Sequence, residues 1–268
     1  MTNSLKKGLF SLYTTLAHSG NGFLRKVGYK FGQNTITSLG KAVYERHGVK
    51  LKLSPLNMID KAIISRAGHD KVVEEQIEKQ LKNGGAFLDI GANWGYFSIL
   101  AASKPNTQVL AFEPSLKELA LLYDHILLNK YTNIWAFPCG LSSEVSSQKL
   151  YLGADRNTGT NSLVNKQGDA YVEAMFAPLY NVVPPDFISR IRLCKIDVEG
   201  YELFVLQGME TIVPQLKDCN FVIEITPQFL AMVNHTAKDI YNFFARHGYV
   251  GLYGLDIDGQ YDEVFYKK

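Results

Sequence analysis

"AFLDIGANWGYFSIL", residues 86–100, decides the fold. The apolar run AFLDI reads as a strand buried on both faces, the pattern of a parallel sheet. Gly91, Ala92, Asn93 and Gly95 then break the strand, and GYFSILAASK continues at helical spacing. Strand, glycine-bearing turn and helix open a βαβ unit, and open α/β sheets bind ligands beyond the carboxyl ends of their strands. Asp89 stands just before the break. Glu113, at the end of the next strand, follows Gly91 by 22 positions, where a carboxylate can accept hydrogen bonds from both hydroxyls of a ribose.

A dinucleotide site would want G-x-G-x-x-G, whereas this chain has D-x-G-x-N-x-G. Asp89 would repel a diphosphate. It suits a nucleoside with positive charge near its ribose, and S-adenosylmethionine carries both a sulfonium and an α-ammonium. On this view Gly91 and Gly95 let the backbone turn and leave a ligand free to approach it.

Outward from this stretch, strands and helices alternate. QVLAFEP precedes SLKELALLYDHILLNK, NIWAFPCGL precedes a strand-like QKLYLG, and RLCKIDV feeds GYELFVLQGM. FVIEIT leads through PQFLAMV to AKDIYNFFARHG, and YVGLYGLD and DEVFYKK pair across Asp258-Gly259. The expected fold is α/β: a Rossmann-like, mostly parallel sheet of about seven strands, helices on both faces, and a C-terminal antiparallel hairpin. The polar stretch 154–167 is expected to be an active-site loop or lid. The sheet domain is assigned to residues 70–268, its first helix capped by Asp70 and stopped at Gly84. Residues 1–69 form an extension facing substrate or a partner: helical over 1–43, then a hairpin turning at His47-Gly48, then LNMIDKAIISRAG.

Composition is that of a globular chain, 46% apolar and 20% charged, and no run approaches the roughly 18 apolar residues of a membrane span. Leu5, Leu9, Leu12 and Leu16 fall at helical spacing, favouring an amphipathic helix over a signal peptide. The three cysteines, Cys139, Cys194 and Cys219, are odd in number and scattered, which argues for a reducing cytoplasm and against a disulfide framework or zinc site. Cys139, after Pro138, reads as a small buried residue. No histidine pair has a metal-ligand spacing, so no metal ligand is assigned, and whether a divalent cation is required stays open. Net charge is +2, yet residues 1–52 hold nine basic side chains against Glu45 alone. Such an arm would touch an anionic surface or pack on its own acidic domain.

The second informative segment is LCKIDVEGYELFVLQGM. It delivers Asp197 and Glu199 to the same sheet edge as Asp89 and Glu113. Glu202 falls in the first helical turn, where a carboxylate is stabilised in any case. Asp197 and Glu199 are the catalytic candidates: they could orient an acceptor hydroxyl, accept its proton, or help hold a divalent cation.

With both segments in hand, FLDIGANWGYFS, AFEPS, LLNKYTNI, KIDVEGYEL with LQGM, and VIEI resemble the FkbM family of S-adenosylmethionine-dependent methyltransferases, over roughly Asp70 to Phe244. The resemblance implies a class I methyltransferase fold, S-adenosyl-L-methionine as cofactor, and methylation of a hydroxyl on a glycan or secondary metabolite. An RNA methyltransferase and a non-catalytic nucleoside-binding module compete, although no N-P-P-Y type motif supports base-nitrogen chemistry. By position, it implies Asp89, Gly91, Asn93 and Gly95 in the cofactor loop and Glu113 on the ribose. Gly140 and Leu141 would line the adenine, Asp197 and Glu199 would lie beside the transferred methyl, and Asn161 and Ser162 in GTNSL would lie near the acceptor. Trp94 stands where a smaller apolar residue is common, so it would narrow the methionine end or pack away from it.

Overall fold

A computed structural model describes residues 41–64, 71–153, 161–166, 169–255 and 257–268. The expectations for residues 1–40, for Asp70 as a cap and for most of the 154–167 loop lie outside the described residues. The chain divides into two compact units between His69 and Asp70.

In the first unit, β1 (Ala42–Arg46) and β2 (Val49–Leu53) pair antiparallel. His47 and Gly48 both have left-handed φ, 48° and 78°, the two-residue turn whose twist suits a hairpin. Val49, Leu51 and Leu53 alternate inward along β2. Helix α1 (Met58–Ile64) starts at Asn57, whose Oδ1 accepts the N–H groups of Ile59 and Asp60.

The second unit opens with α2 (Lys71–Gln80), β3 (Gly85–Ile90), α3 (Tyr96–Ala102), β4 (Thr107–Phe112), α4 (Leu116–Asn129) and β5 (Ile134–Phe137). Next come β6 (Gly140–Leu141), β7 (Ser146–Tyr151), β8 (Tyr171–Ala177), α5 (Pro185–Ile188), β9 (Ile191–Ile196) and α6 (Glu202–Gly208). It ends with β10 (Asn220–Ile225), α7 (Pro227–Met232), α8 (Ala237–Arg246), β11 (Tyr249–Gly251) and β12 (Tyr261–Lys267). Seven strands form one sheet in the order β11-β12-β10-β9-β3-β4-β5. Strands β3, β4, β5, β9 and β10 run parallel, while β12 is antiparallel to both its neighbours.

Consecutive residues of β3, β9 and β10 are buried, including Phe87, Leu88, Leu193, Cys194, Val222 and Ile223. Helices on both faces remove both sides of these strands from water, which explains their unbroken apolar runs. The chain runs outward from β3 through β4 to β5, then returns to place β9 on the other flank of β3. That reversal puts a switch point between β3 and β9, where an open α/β sheet forms its crevice.

Three features depart from the pattern. NIWAFPCGL is not one strand. Pro138 has no N–H to continue a ladder, and beyond it β6 leaves for a separate sheet ordered β6-β8-β7. Strand β8 escapes the periodicity because Tyr171, Val172 and Met175 are exposed apolar residues. The C-terminal strands do pair antiparallel, yet β12 inserts between β11 and β10. Glu263, fully buried, secures that insertion by accepting the backbone N–H groups of Leu252, Tyr253, Gly254 and Val264 and the Tyr241 hydroxyl. Among the described residues no helix is long and apolar enough to cross a membrane. All three cysteines are free, Cys194 and Cys219 buried and Cys139 half-buried.

Candidate active site

The loop after β3 is built from left-handed residues: Gly91, Asn93 and Gly95 have φ of 76°, 51° and 86°. The N–H groups of Gly91 and Ala92 both donate to the Phe112 carbonyl at 3.0 Å. Glu113 completes the tie between this loop and β4. Its Oε2 accepts the Asn93 N–H at 2.8 Å and its Oε1 accepts the Ser115 N–H at 2.8 Å. Each oxygen keeps a second acceptor position, enough for two ribose hydroxyls. Burial pushes the Glu113 carboxyl up to about 7, against the lowering effect of the two N–H groups.

The glycines have a second physical reason besides the turn. A Cβ on Gly91 would fall 1.8 Å from the Asp197 carbonyl oxygen, and one on Gly95 would fall 2.1 Å from Leu122 Cδ1. The protein's own atoms occupy the space a side chain would need. Trp94 is buried as well, its ring against His125 and Tyr96 and its carbonyl 2.9 Å from His125 Nδ1.

Strand register assembles the rest. Asp89 on β3 is the direct cross-strand partner of Lys195 on β9. Asp89 has no exposed surface; its Oδ2 accepts from Ser98 Oγ at 2.6 Å, while Oδ1 has no hydrogen bond and lies 3.8 Å from Lys195 Nζ. Lys195 also reaches Asp197 Oδ2 at 3.0 Å and donates to the Gly91 carbonyl at 3.3 Å. Burial pulls the Lys195 ammonium down, and the Asp197 and Asp89 carboxylates outweigh it, so the group is held above its ordinary value.

One step beyond Lys195, Asp197, Glu199 and Glu224 bring carboxylate oxygens to within 4.8 Å of one another, a set that could hold a metal ion. Glu224, on β10, is pushed up to about 11 by burial, by the carboxylates of Asp197 and Glu199 and by a hydrogen bond to Asp197. Glu199 is pushed up to about 8 by burial and then by Asp197 and Glu202. It also carries a left-handed φ of 54°, a strained backbone of the kind that clusters at functional sites.

The remaining candidates fall as follows. Glu202 closes the turn before α6, its Oε1 accepting from Val198 and Gly200 N–H, while its Oε2 has no hydrogen bond. Ser162 is 1% exposed. It donates to the Glu199 carbonyl at 2.8 Å and accepts from Val164 and Asn165 N–H. Its one donor and both acceptor positions are thus used inside the protein, so its part in the site is to pin residues 161–166 to Glu199 rather than to touch an acceptor. Asn161 Oδ1 accepts the Gly153 N–H at 2.9 Å and closes the end of β7. Gly140 and Leu141 are buried in β6, paired with Phe176 and Ala177, and a Cβ on Gly140 would fall 2.1 Å from the Phe176 ring. The pattern missed Lys195 and Glu224. A signal existed for each: a lone charge in an apolar strand, CKID and VIEI, demands a partner.

The raised carboxyls make stability depend on pH. Glu113, Glu199 and Glu202 have folded-state values of about 7, 8 and 7 against an ordinary 4.5. A raised carboxyl favours the folded state below its ordinary value, and that contribution is lost as pH rises through the folded value. The melting temperature is therefore expected to fall by several degrees between pH 5 and pH 8.5, since 1 kcal/mol shifts it by about 2–4 °C in a domain this size. Differential scanning fluorimetry across that range measures it, and Glu199→Gln should flatten the slope. A midpoint that climbs with pH would contradict the burial of these groups.

Topology and loop define an α/β domain of the class I methyltransferase kind. Residues 89–250 match the family model described as Methyltransferase FkbM domain, and the chain belongs to that family. It is an S-adenosylmethionine-dependent methyltransferase. The chain is 30% identical over 190 residues to Methyltransferase sdnD of Sordaria araneosa, covering 57% of this chain and 73% of the relative. It is 26% identical over 160 residues to Methyltransferase 1 of Beauveria bassiana (strain ARSEF 2860), covering 52% of this chain and 63% of the relative. Among solved structures, SMU.1697c from Streptococcus mutans in complex with SAH is similar at a TM-score of 0.48 and 9% identity, over 74% of this chain and 97% of that one. The residues fit the cofactor: Glu113 keeps acceptor capacity for a ribose, and the orphaned Asp89 Oδ1 belongs to a row with two carboxyl groups and one ammonium.

Proposed function

We propose that the enzyme methylates a hydroxyl oxygen on a glycan or secondary metabolite. The observation that carries this reading is the meeting of Asp197, Glu199 and Glu224 at the ends of β9 and β10, beside the cofactor loop. When bound, S-adenosylmethionine supplies the methyl group. A hydroxyl is a poor nucleophile until its proton is accepted, and a base works best with a value near the operating pH. Glu199, at about 8, meets that condition. Its carboxyl lies within 4.8 Å of those of Asp197 and Glu224, so the base stands in an acidic cluster at the acceptor end of the site. Asp197, anchored by Lys195, orients the acceptor. The three free thiols fit a cytoplasmic site of action.

The test is transfer of a labelled methyl group into cell fractions of glycans, small metabolites and RNA, with the product located by mass spectrometry. Label on a sugar or metabolite oxygen supports the proposal; label confined to RNA, or none in any fraction with folded protein, rejects it. Asp197→Asn should cut turnover by about 100-fold, the loss expected when an acceptor is misplaced by about 1 Å, while S-adenosylhomocysteine affinity changes less than threefold. Lost affinity with normal turnover at saturation would reverse the roles of the two site halves.

A further inference from the structure

Lys195 opens the KIDVEGYEL segment, yet its ammonium touches both halves of the site. We propose that Lys195 is a positioning residue for the methyl donor: its ammonium fastens the cofactor loop to the end of β9 and sets the charge that the donor meets. The inference rests on the cofactor assignment and is independent of which acceptor is methylated.

Four observations carry it. A lysine in an apolar strand, with 4% of its surface exposed, must offset the cost of taking its ammonium out of water. An aliphatic residue would fill the same volume without that cost, so packing alone does not account for it. The ammonium's partners come from three segments: Asp89 on β3, the Gly91 carbonyl in the loop and Asp197 after β9. The ring of Phe97 on α3 lies 5.6 Å away. Lastly, Gly91 meets β9 twice, because the Asp197 carbonyl oxygen occupies its Cβ position while its own carbonyl accepts from Lys195. Removing the ammonium releases one of those two contacts.

Charge gives the second consequence. Burial holds the Asp89 carboxyl above the ordinary carboxylate range and Lys195 lowers it; at a pH that keeps both carboxyls of the row ionised, losing Lys195 makes the row one unit more negative. The donor S-adenosylmethionine is a sulfonium cation, whereas S-adenosylhomocysteine is a neutral thioether of nearly the same shape. A more negative row favours the sulfonium of the two. A loosened loop, by contrast, weakens both ligands equally, so the ratio of the two affinities separates positioning by charge from general damage.

The experiment is titration calorimetry of both nucleosides against the full chain, wild type and Lys195 variants, at fixed pH and salt, with a melting curve for each protein. Lys195→Met should weaken S-adenosylhomocysteine at least tenfold and shift the affinity ratio at least threefold toward S-adenosylmethionine. Lys195→Arg should restore the ratio to within twofold of wild type. Lys195→Gln, which keeps a neutral donor for the Gly91 carbonyl, should retain more affinity and show the same ratio shift; it carries the test if Lys195→Met does not fold. Unchanged affinities, or equal weakening of both ligands alongside a lowered melting temperature, would overturn the proposal by reducing Lys195 to a structural ion pair. Failure of the wild type to bind either nucleoside would overturn the cofactor assignment as well, and is recognisable because it does not depend on the variants.

Discussion

Gly91→Ala is expected to eliminate measurable binding of S-adenosylhomocysteine, a loss of at least about 100-fold, and to lower the melting temperature by about 10 °C or more, given roughly 2–4 °C per kcal/mol in a domain this size. Two effects add. A φ of 76° puts an L-residue in the left-handed region, at about 1–2 kcal/mol. The new Cβ would also stand 1.8 Å from the Asp197 carbonyl oxygen, a separation no contact tolerates, so the loop and the end of β9 must move apart. Those two segments are the two halves of the site. Gly259→Ala separates the effects: its φ is 81°, and nothing lies within 4 Å of the added Cβ. That variant should lose only the strain, a few degrees, and bind normally. Calorimetry and melting curves on both proteins decide the matter; a Gly91→Ala enzyme that binds like wild type would mean that the close approach of loop and strand is dispensable.

The alternation of strands and helices was legible because it is local: apolar runs, glycine breaks and helical spacing sit within ten or fifteen residues. So was the edge that gathers the acidic residues, since Asp89, Glu113 and Asp197 lie at or just past the ends of three neighbouring parallel strands, with Glu199 in the turn beyond Asp197. What stayed hidden belongs to register. Asp89 faces Lys195 only because β3 and β9, separated by more than a hundred residues, pair with those two positions abreast. Glu224 joins Asp197 and Glu199 because β10 lies next to β9. Gly91 and Gly95 were legible as turn formers, but not as places where Asp197 and Leu122 press in. Ser162 looked available for an acceptor because no local signal says that the backbone carbonyl of Glu199, 37 positions later, accepts its hydroxyl hydrogen bond. The break after Pro138 had a local signal, the missing N–H, while β8 offered an apolar run whose exposed members gave no face to assign.

Asp89→Ala should damage both the cofactor site and the fold. The motif alone suggests a carboxylate that serves a ligand, whose loss would leave the core intact. In the structure that carboxylate is wholly enclosed, accepts the Ser98 hydroxyl and faces the Lys195 ammonium. Truncation therefore strands a buried hydroxyl, opens a void and removes one of the two counter-charges of a buried cation. Breaking a buried pair by deleting one partner costs about 3–5 kcal/mol; Asp197, nearer to the ammonium at 3.0 Å than Asp89 at 3.8 Å, holds the expected loss to the lower end. Urea unfolding should show it, and S-adenosylmethionine binding should weaken by at least tenfold in whatever fraction remains folded. Asp89→Asn keeps an acceptor for Ser98 and should keep most of the stability while weakening the binding to a similar extent. Asp89→Ala combined with Lys195→Met should cost less than the sum of the two single changes, because the second removes the charge that the first leaves short of a partner. Full additivity of the two, or an Asp89→Ala protein as stable as wild type, would show that the enclosed pair does not hold this edge of the sheet together.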